Sequence, residues 1–212
     1  MKKTVAILDY GMGNLHSVAS AVAHVAPDSL VQVTAEREQI LAADHVIFPG
    51  VGAIGDCMAE IRRLGLDQAI AAVVAQKQPL LGVCVGMQAL MAHSEESGGV
   101  DCLDYFPARV KRFSGEVFEQ HRLKVPHMGW NTVKKTADHA LWHHIDDGSR
   151  FYFVHSYYVA LQGNDVIGST DYGLPFAAMV ARDSIAAVQF HPEKSATAGL
   201  QLIKNFLAWN GQ

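Results

Sequence analysis

The chain is predicted to be an α/β protein, with a mostly parallel central sheet covered by helices and additional antiparallel strands in its second half. Three observations carry this reading. In the first half, short apolar runs alternate with stretches of helical periodicity, the rhythm of βαβ units. Those runs are apolar without a break, as strands covered on both faces are. From about Tyr105 the texture changes to short β-patterned runs with turn residues between them.

The elements follow in order. Val5-Ala6-Ile7-Leu8 reads as the first strand, and residues 17–25 carry apolar side chains at helical spacing. Strands over 30–33 and 45–48 come next, the latter ending at Pro49-Gly50. Helices over 56–64 and 67–76 lead to Pro79-Leu80-Leu81, a buried strand opened by a proline. Residues 87–92 are rich in good helix formers. Runs at 108–113, 150–160, 165–170, 176–181 and 185–190 read as strands, and 198–209 returns to helix. Ligands in such sheets sit beyond the carboxyl ends of the strands. Gly11, Gly50 and Cys84 all fall at such ends, so their loops should converge on one site.

Composition narrows the class. The 212 residues are enough for a full core and, with no linker, repeat or low-complexity segment, read as one domain spanning 1–212. Half the residues are hydrophobic and 18% charged, and the net charge of −4 gives no reason to expect nucleic acid or an anionic membrane as partner. Three unevenly spaced cysteines, Cys57, Cys84 and Cys102, do not make a disulfide framework and suit a reducing compartment. The start Met1-Lys2-Lys3 looks like a signal sequence, but its apolar run breaks at Asp9, so export is rejected. No apolar stretch approaches the roughly 20 residues of a membrane span. A cytoplasmic protein is expected.

The most informative segment is Gly82-Val83-Cys84-Val85-Gly86, a G-x-C-x-G element between a strand and a helix. A strand that turns sharply into a helix lifts the corner side chain out of the sheet, and the flanking glycines give the backbone room to turn. The helix start favours a thiolate, the nucleophilic form of cysteine. Such a nucleophile needs a base and a group to orient it. After the strand over 185–190 stands His191-Pro192-Glu193. Pro192 biases His191 toward an extended backbone, and Glu193 is placed to reach back to the imidazole. A Cys84–His191–Glu193 triad follows as an expectation. Acyl transfer also needs donors for an oxyanion. The backbone N–H of Val85 is one candidate, and that of Val51, in the loop Pro49-Gly50-Val51-Gly52, is the second.

These three segments together resemble the class I (triad) glutamine amidotransferases. Asp9-Tyr10-Gly11-Met12-Gly13-Asn14, Pro126-His127-Met128-Gly129-Trp130-Asn131 and Val154-His155-Ser156-Tyr157-Tyr158 further resemble the glutaminase subunits of imidazole glycerol phosphate synthases. The likeness runs in order along nearly the whole chain; Val85 stands where leucine is the family's habit. The resemblance implies hydrolysis of L-glutamine to glutamate and ammonia through a thioester on Cys84, without cofactor or metal. It implies that Gln88 and the backbone of Gly50, Gly52, Ser156 and Tyr157 hold the substrate. It also implies a heterodimer with a (β/α)₈-barrel cyclase subunit that receives the ammonia for histidine biosynthesis. The Val51 peptide, set between two glycines, is free to turn its donor toward or away from the site, and partner docking would bias that turn. Residues 10–14, 126–131 and the surroundings of Asp101 are the expected interface.

Other readings were weighed. Cys57 and Cys102 lack chemical companions and read as structural. Gly11-Met12-Gly13-Asn14 mimics the start of a dinucleotide fingerprint but lacks its third glycine and its acid. His139 and His143 share a helical face without a further metal ligand. Three other functions remain open: the glutaminase of another synthase, such as that of pyridoxal phosphate synthesis; a γ-glutamyl hydrolase; and a non-catalytic redox-sensing cysteine module.

Overall fold

The computed structural model describes residues 2–161 and 163–212; Met1, first residue of the signal-like start, and Gln162 lie outside them. In chain order the elements are β1 (Thr4–Leu8), α1 (Leu15–Val25), β2 (Leu30–Thr34), α2 (Arg37–Ala42), β3 (His45–Gly50), α3 (Ile54–Arg63) and α4 (Leu66–Ala75). Then come β4 (Leu80–Cys84), α5 (Val85–Ala89), β5 (Met91–Ser94), β6 (Val100–Asp101), β7 (Phe106–Arg112), α6 (Glu116–Gln120), β8 (His127–Thr132) and β9 (Lys134–Lys135). The chain ends with β10 (Arg150–His155), β11 (Tyr157–Val159), β12 (Val166–Asp171), β13 (Pro175–Arg182), β14 (Ile185–Val188) and α7 (Ala196–Ala208).

The expected parallel sheet is present, in the order β2-β1-β3-β4-β14, each neighbour parallel to the next. The antiparallel strands do not form a separate layer. The same sheet continues through β13, β11, β7, β5 and β6, antiparallel at every step but the parallel pair of β7 with β5, while β12 and β9 branch from β13. Among the described residues β8 and β10 stand apart, as a two-stranded sheet. Strands β3 and β4 are buried at every residue, the burial their unbroken apolar sequence demands. Helix α1 buries Val18, Ala21 and Val22, and α7 buries Leu202, Ile203 and Phe206. A stack of aromatics, including Phe151 against Phe190 at 4.1 Å between ring centroids, fills the space between β10 and the main sheet. Each fully buried phenylalanine of this stack contributes on the order of 1.5–3 kcal/mol.

Two elements differ from expectation. The run at 150–160 is two strands, not one. It breaks at Ser156, so that β10 pairs with β8 while β11 joins β7 and β13. A β-pattern reports burial and not partner, so it does not show where a strand leaves one sheet for another. The helix expected over 87–92 spans Val85–Ala89 instead, and the apolar residues after it start β5. The short helices α2 and α6, and strand β8, carry too little periodicity to stand out.

Register positions the chemistry. Gly50 at the end of β3 is level with Cys84 at the end of β4. Val188 of β14 pairs with Val83 on the other side, so the chain leaving β14 passes beside Cys84. Tyr10, just beyond β1, donates its hydroxyl to the Pro49 carbonyl at 2.8 Å. The ends of β3 and β4 thus meet as expected, with Tyr10 packed against them, while the loop around Gly11 does not line the cavity that opens beside Cys84.

Candidate active site

Cys84 stands at a backbone corner with φ 57° and ψ −110°, a region that non-glycine residues rarely adopt. The turn is held by close packing. A Cβ on Gly86 would overlap the Phe48 carbonyl oxygen, and one on Gly82 would come within 3.0 Å of the Gly86 carbonyl oxygen. Gly86 therefore requires glycine, while a side chain at Gly82 would only press Leu90 and the Gly86 carbonyl outward. The Cys84 side chain is buried, 3.9 Å from the Val154 carbonyl oxygen and 3.8 Å from Gln189 Nε2.

His191 stands three residues past the end of β14, after Gln189 and Phe190. Its Nδ1 lies 2.8 Å from Glu193 Oε1, and the two side chains are 3% and 1% exposed. Pro192 and Glu193 open a single 3₁₀ turn that folds the carboxylate back onto the ring. The His191 backbone is clamped as well. Its N–H donates to Tyr152 O at 2.9 Å, and its carbonyl accepts from Ser195 Oγ at 2.6 Å. Burial by itself would lower the proton affinity of the ring, but hydrogen bonding to Cys84 and Glu193 outweighs it and pushes the imidazole up to about 10. Nε2 is buried with no hydrogen-bond partner among the described residues, so it is the nitrogen free to face Cys84. At neutral pH the ring carries the positive charge that a thiolate needs beside it.

A cavity of about 350 Å³ opens on this pair. Of the residues expected to serve the site, Val51, Gly52, Cys84, Val85, Gln88, Ser156, Tyr157 and His191 line it. Glu193 stands behind His191, and Gly50 packs under the elbow, where a Cβ would meet Tyr10 Oη and the Gly86 amide. Gly52 has φ +97° with open space around it. Of the two glycines flanking Val51, only this one is free of packing. Gln88 donates from Nε2 to the Tyr157 carbonyl at 3.1 Å and to Gln189 Oε1 at 3.0 Å.

Several residues that matter here escaped sequence reasoning. Ser195 and Gln189 hold His191 and Gln88, yet a serine before a helix and a glutamine at a strand end carry no local signal of that role. Glu96, Pro126, His155 and Lys194 also line the cavity. Glu96 further accepts from the Ile54 N–H at 3.0 Å, tying that wall to α3. Cys57 lies against the loop after β3, its thiol 3.5 Å from the Val51 carbonyl, and burial pushes it up to about 11. Among the described residues no group of three or more His, Cys, Asp or Glu side chains is arranged to hold a metal ion.

A cysteine at a strained elbow with a buried His–Glu pair beside it makes a site suited to nucleophilic acyl transfer. The chain belongs to the class-I glutamine amidotransferases: the family model "Glutamine amidotransferase class-I" matches residues 6–209. Within that family it is 58% identical over 212 residues to the imidazole glycerol phosphate synthase subunit HisH of Pseudomonas putida, covering 99% of each chain. It is 56% identical over 214 residues to subunit HisH 1 of Pseudomonas aeruginosa, covering all of both. Among solved structures it resembles one described as a glutamine amidotransferase, with a TM-score of 0.72 and 18% identity, covering 98% of this chain and 99% of that one. PurLQS from Thermotoga maritima matches with a TM-score of 0.73 and 14% identity over the same shares. These two likenesses concern the fold alone.

Proposed function

We propose that this chain is the glutaminase subunit of an imidazole glycerol phosphate synthase. The observation that carries the chemistry is the buried His191–Glu193 pair set beside Cys84 at the wall of the cavity. With its proton already resting on His191, Cys84 attacks the γ-carboxamide carbon of L-glutamine through its sulfur. The oxyanion that forms is met by the N–H of Val85 and, when its peptide faces inward, that of Val51. His191 returns the proton to the leaving nitrogen, the C–N bond breaks, and ammonia departs. Water, activated by the same imidazole, then hydrolyses the γ-glutamyl thioester to glutamate. Glu193 holds the ring throughout and stabilises its positive charge whenever it carries the second proton. Gln88 and the backbone of Gly50, Gly52, Ser156 and Tyr157 hold the substrate.

The relatives' names supply the partner, a cyclase subunit in a heterodimer, read from likeness as a (β/α)₈ barrel serving histidine biosynthesis. One surface supports the docking. Met128 and Trp130 on β8 are 62% and 45% exposed, large apolar side chains on a strand next to Pro126 at the cavity mouth. Aromatic anchors of this kind concentrate binding energy at interfaces. Ammonia handed directly to the partner would escape protonation in water. The continuous sheet supports one domain over 1–212, and the three free cysteines fit a reducing cytoplasm. Among the described residues no helix is long and apolar enough to cross a membrane. The test is ammonia release from L-glutamine, with glutamate formed in equal amount, by the chain mixed with the cyclase subunit. Loss of both products in Cys84→Ala is the expected result, and retention of either in that variant overturns the assignment.

A further inference from the structure

Two histidines that the triad does not use stand at one wall of the cavity, His155 lining it and His127 behind His155. His127 opens β8 and His155 closes β10, directly paired across the two-stranded sheet. Both are buried. His127 Nδ1 is 2.9 Å from His155 Nε2, and His155 Nδ1 is 2.7 Å from the Tyr157 carbonyl oxygen. On the far side, Asn131 Nδ2 is 3.3 Å from His127 Nε2.

These contacts leave one arrangement of protons. A carbonyl oxygen only accepts, so His155 Nδ1 carries a hydrogen. Burial pushes His155 down to about 3 and His127 down to about 4, so each ring is neutral at pH 7 and holds a single proton. His155 Nε2 is therefore a lone pair and accepts from His127 Nδ1. That leaves His127 Nε2 as an acceptor, matched by the Asn131 amide. The orientation of the amide is fixed in turn, because Asn131 Oδ1 accepts from the Thr132 N–H at 2.7 Å while Nδ2 donates to Asp171 O at 2.9 Å. Reversing either ring would set two lone pairs or two hydrogens face to face. The bonds run one way, from Asn131 through both histidines to Tyr157 O.

The end of the chain of bonds is the useful part. The Tyr157 carbonyl also accepts from Gln88 Nε2, and the second amide hydrogen of Gln88 goes to Gln189 Oε1. With both hydrogens engaged, Gln88 turns only its acceptor oxygen to the cavity. We propose that His127 and His155 are positioning residues, whose one-way hydrogen bonds pin the Tyr157 carbonyl and thereby hold Gln88 as a hydrogen-bond acceptor toward the glutamine substrate. This rests on the reading of the cavity as a glutamine site. The bonds begin on β8, the strand that exposes Met128 and Trp130, so the same pair ties the docking face to the substrate wall.

The test uses the complex with the cyclase subunit. His127→Phe keeps the aromatic body that stacks on Tyr172 and Phe153, and removes the donor to His155. His127→Asn puts an amide donor where Nδ1 stood. The expected result is a rise in KM for glutamine of about fivefold in His127→Phe, with kcat within about twofold of the parent, and recovery of most of the KM in His127→Asn. An unchanged KM overturns the proposal. So does a fall in kcat and thermal midpoint that the asparagine does not repair, since that marks a packing role alone. If His127→Phe does not fold, ¹⁵N NMR of the imidazoles in the unaltered chain decides. Two neutral rings, each protonated at Nδ1, support the proposal, and an Nε2-protonated or cationic ring at either position overturns it. If the unaltered complex releases no ammonia from glutamine, the glutaminase reading fails instead, and the proposed role of the pair in substrate binding falls with it.

Discussion

Glu193 Oε1 lies 2.8 Å from His191 Nδ1, and the pair is all but sealed from water. In that setting the carboxylate does two things at once. It fixes which ring nitrogen faces Cys84, and it raises the ring's hold on its proton. Replacing it with the isosteric amide keeps the shape and removes the charge. Glu193→Gln is expected to lower kcat about 10²- to 10⁴-fold with the fold intact, measured as steady-state ammonia release.

The same pair sets the pH response. His191 is raised in the folded chain from 6.5 to about 10, with Cys84 and Glu193 overcoming burial. Its contribution to stability is thus fully present below pH 6.5 and is lost as pH rises through about 10. In the proposed reaction, the proton that His191 gives to the leaving nitrogen disappears over the same upper range. The alkaline limb of kcat/KM is expected near pH 10 and moves to lower pH in Glu193→Gln. A pH–rate profile of both proteins checks the direction, and an unmoved limb refutes it.

The elbow stores strain. Cys84 holds φ 57° with a Cβ in place, a cost on the order of 1–3 kcal/mol. Cys84→Gly should relieve it and Cys84→Ala should not. Both variants are expected to be inactive, with the glycine form the more stable by about 1 kcal/mol in chemical denaturation.

Gly86 has no room for a side chain, because a Cβ would overlap the Phe48 carbonyl. Gly86→Ala is expected to destabilise by about 3 kcal/mol or more, a backbone clash that repacking of side chains does not relieve. Thermal denaturation beside the unaltered chain measures it.

Trp130 is the exposed aromatic of the strand nearest the cavity mouth. Trp130→Ala should weaken binding of the cyclase subunit by about 2 kcal/mol while the thermal midpoint of the isolated chain stays within a degree or two. Titration calorimetry against the partner gives the first number and a melting curve the second.

Much of this was legible in the residues themselves. The apolar strands around Ile7, Ile47 and Leu81 announce a doubly covered sheet, because only burial on both faces tolerates them. Gly82, Cys84 and Gly86 announce the elbow, because few other local structures need two small residues around a reactive one. Strand pairing was not legible. Nothing in Tyr152 or Tyr158 tells that one lies in the small sheet and the other in the large one, since partner choice is settled by tertiary packing. The His127–His155 pair escaped for the same reason. Twenty-eight residues separate them in the chain, and only the pairing of β8 with β10 brings them together.

The central claim is that Cys84, driven by His191 and Glu193, hydrolyses glutamine in concert with a cyclase partner. The most direct test is ammonia release from L-glutamine by the purified chain, alone and with the cyclase subunit, beside Cys84→Ala. The account predicts strong release in the mixture and none from the variant. Release that survives loss of the thiol, or no release from the unaltered chain in the full mixture, would contradict it.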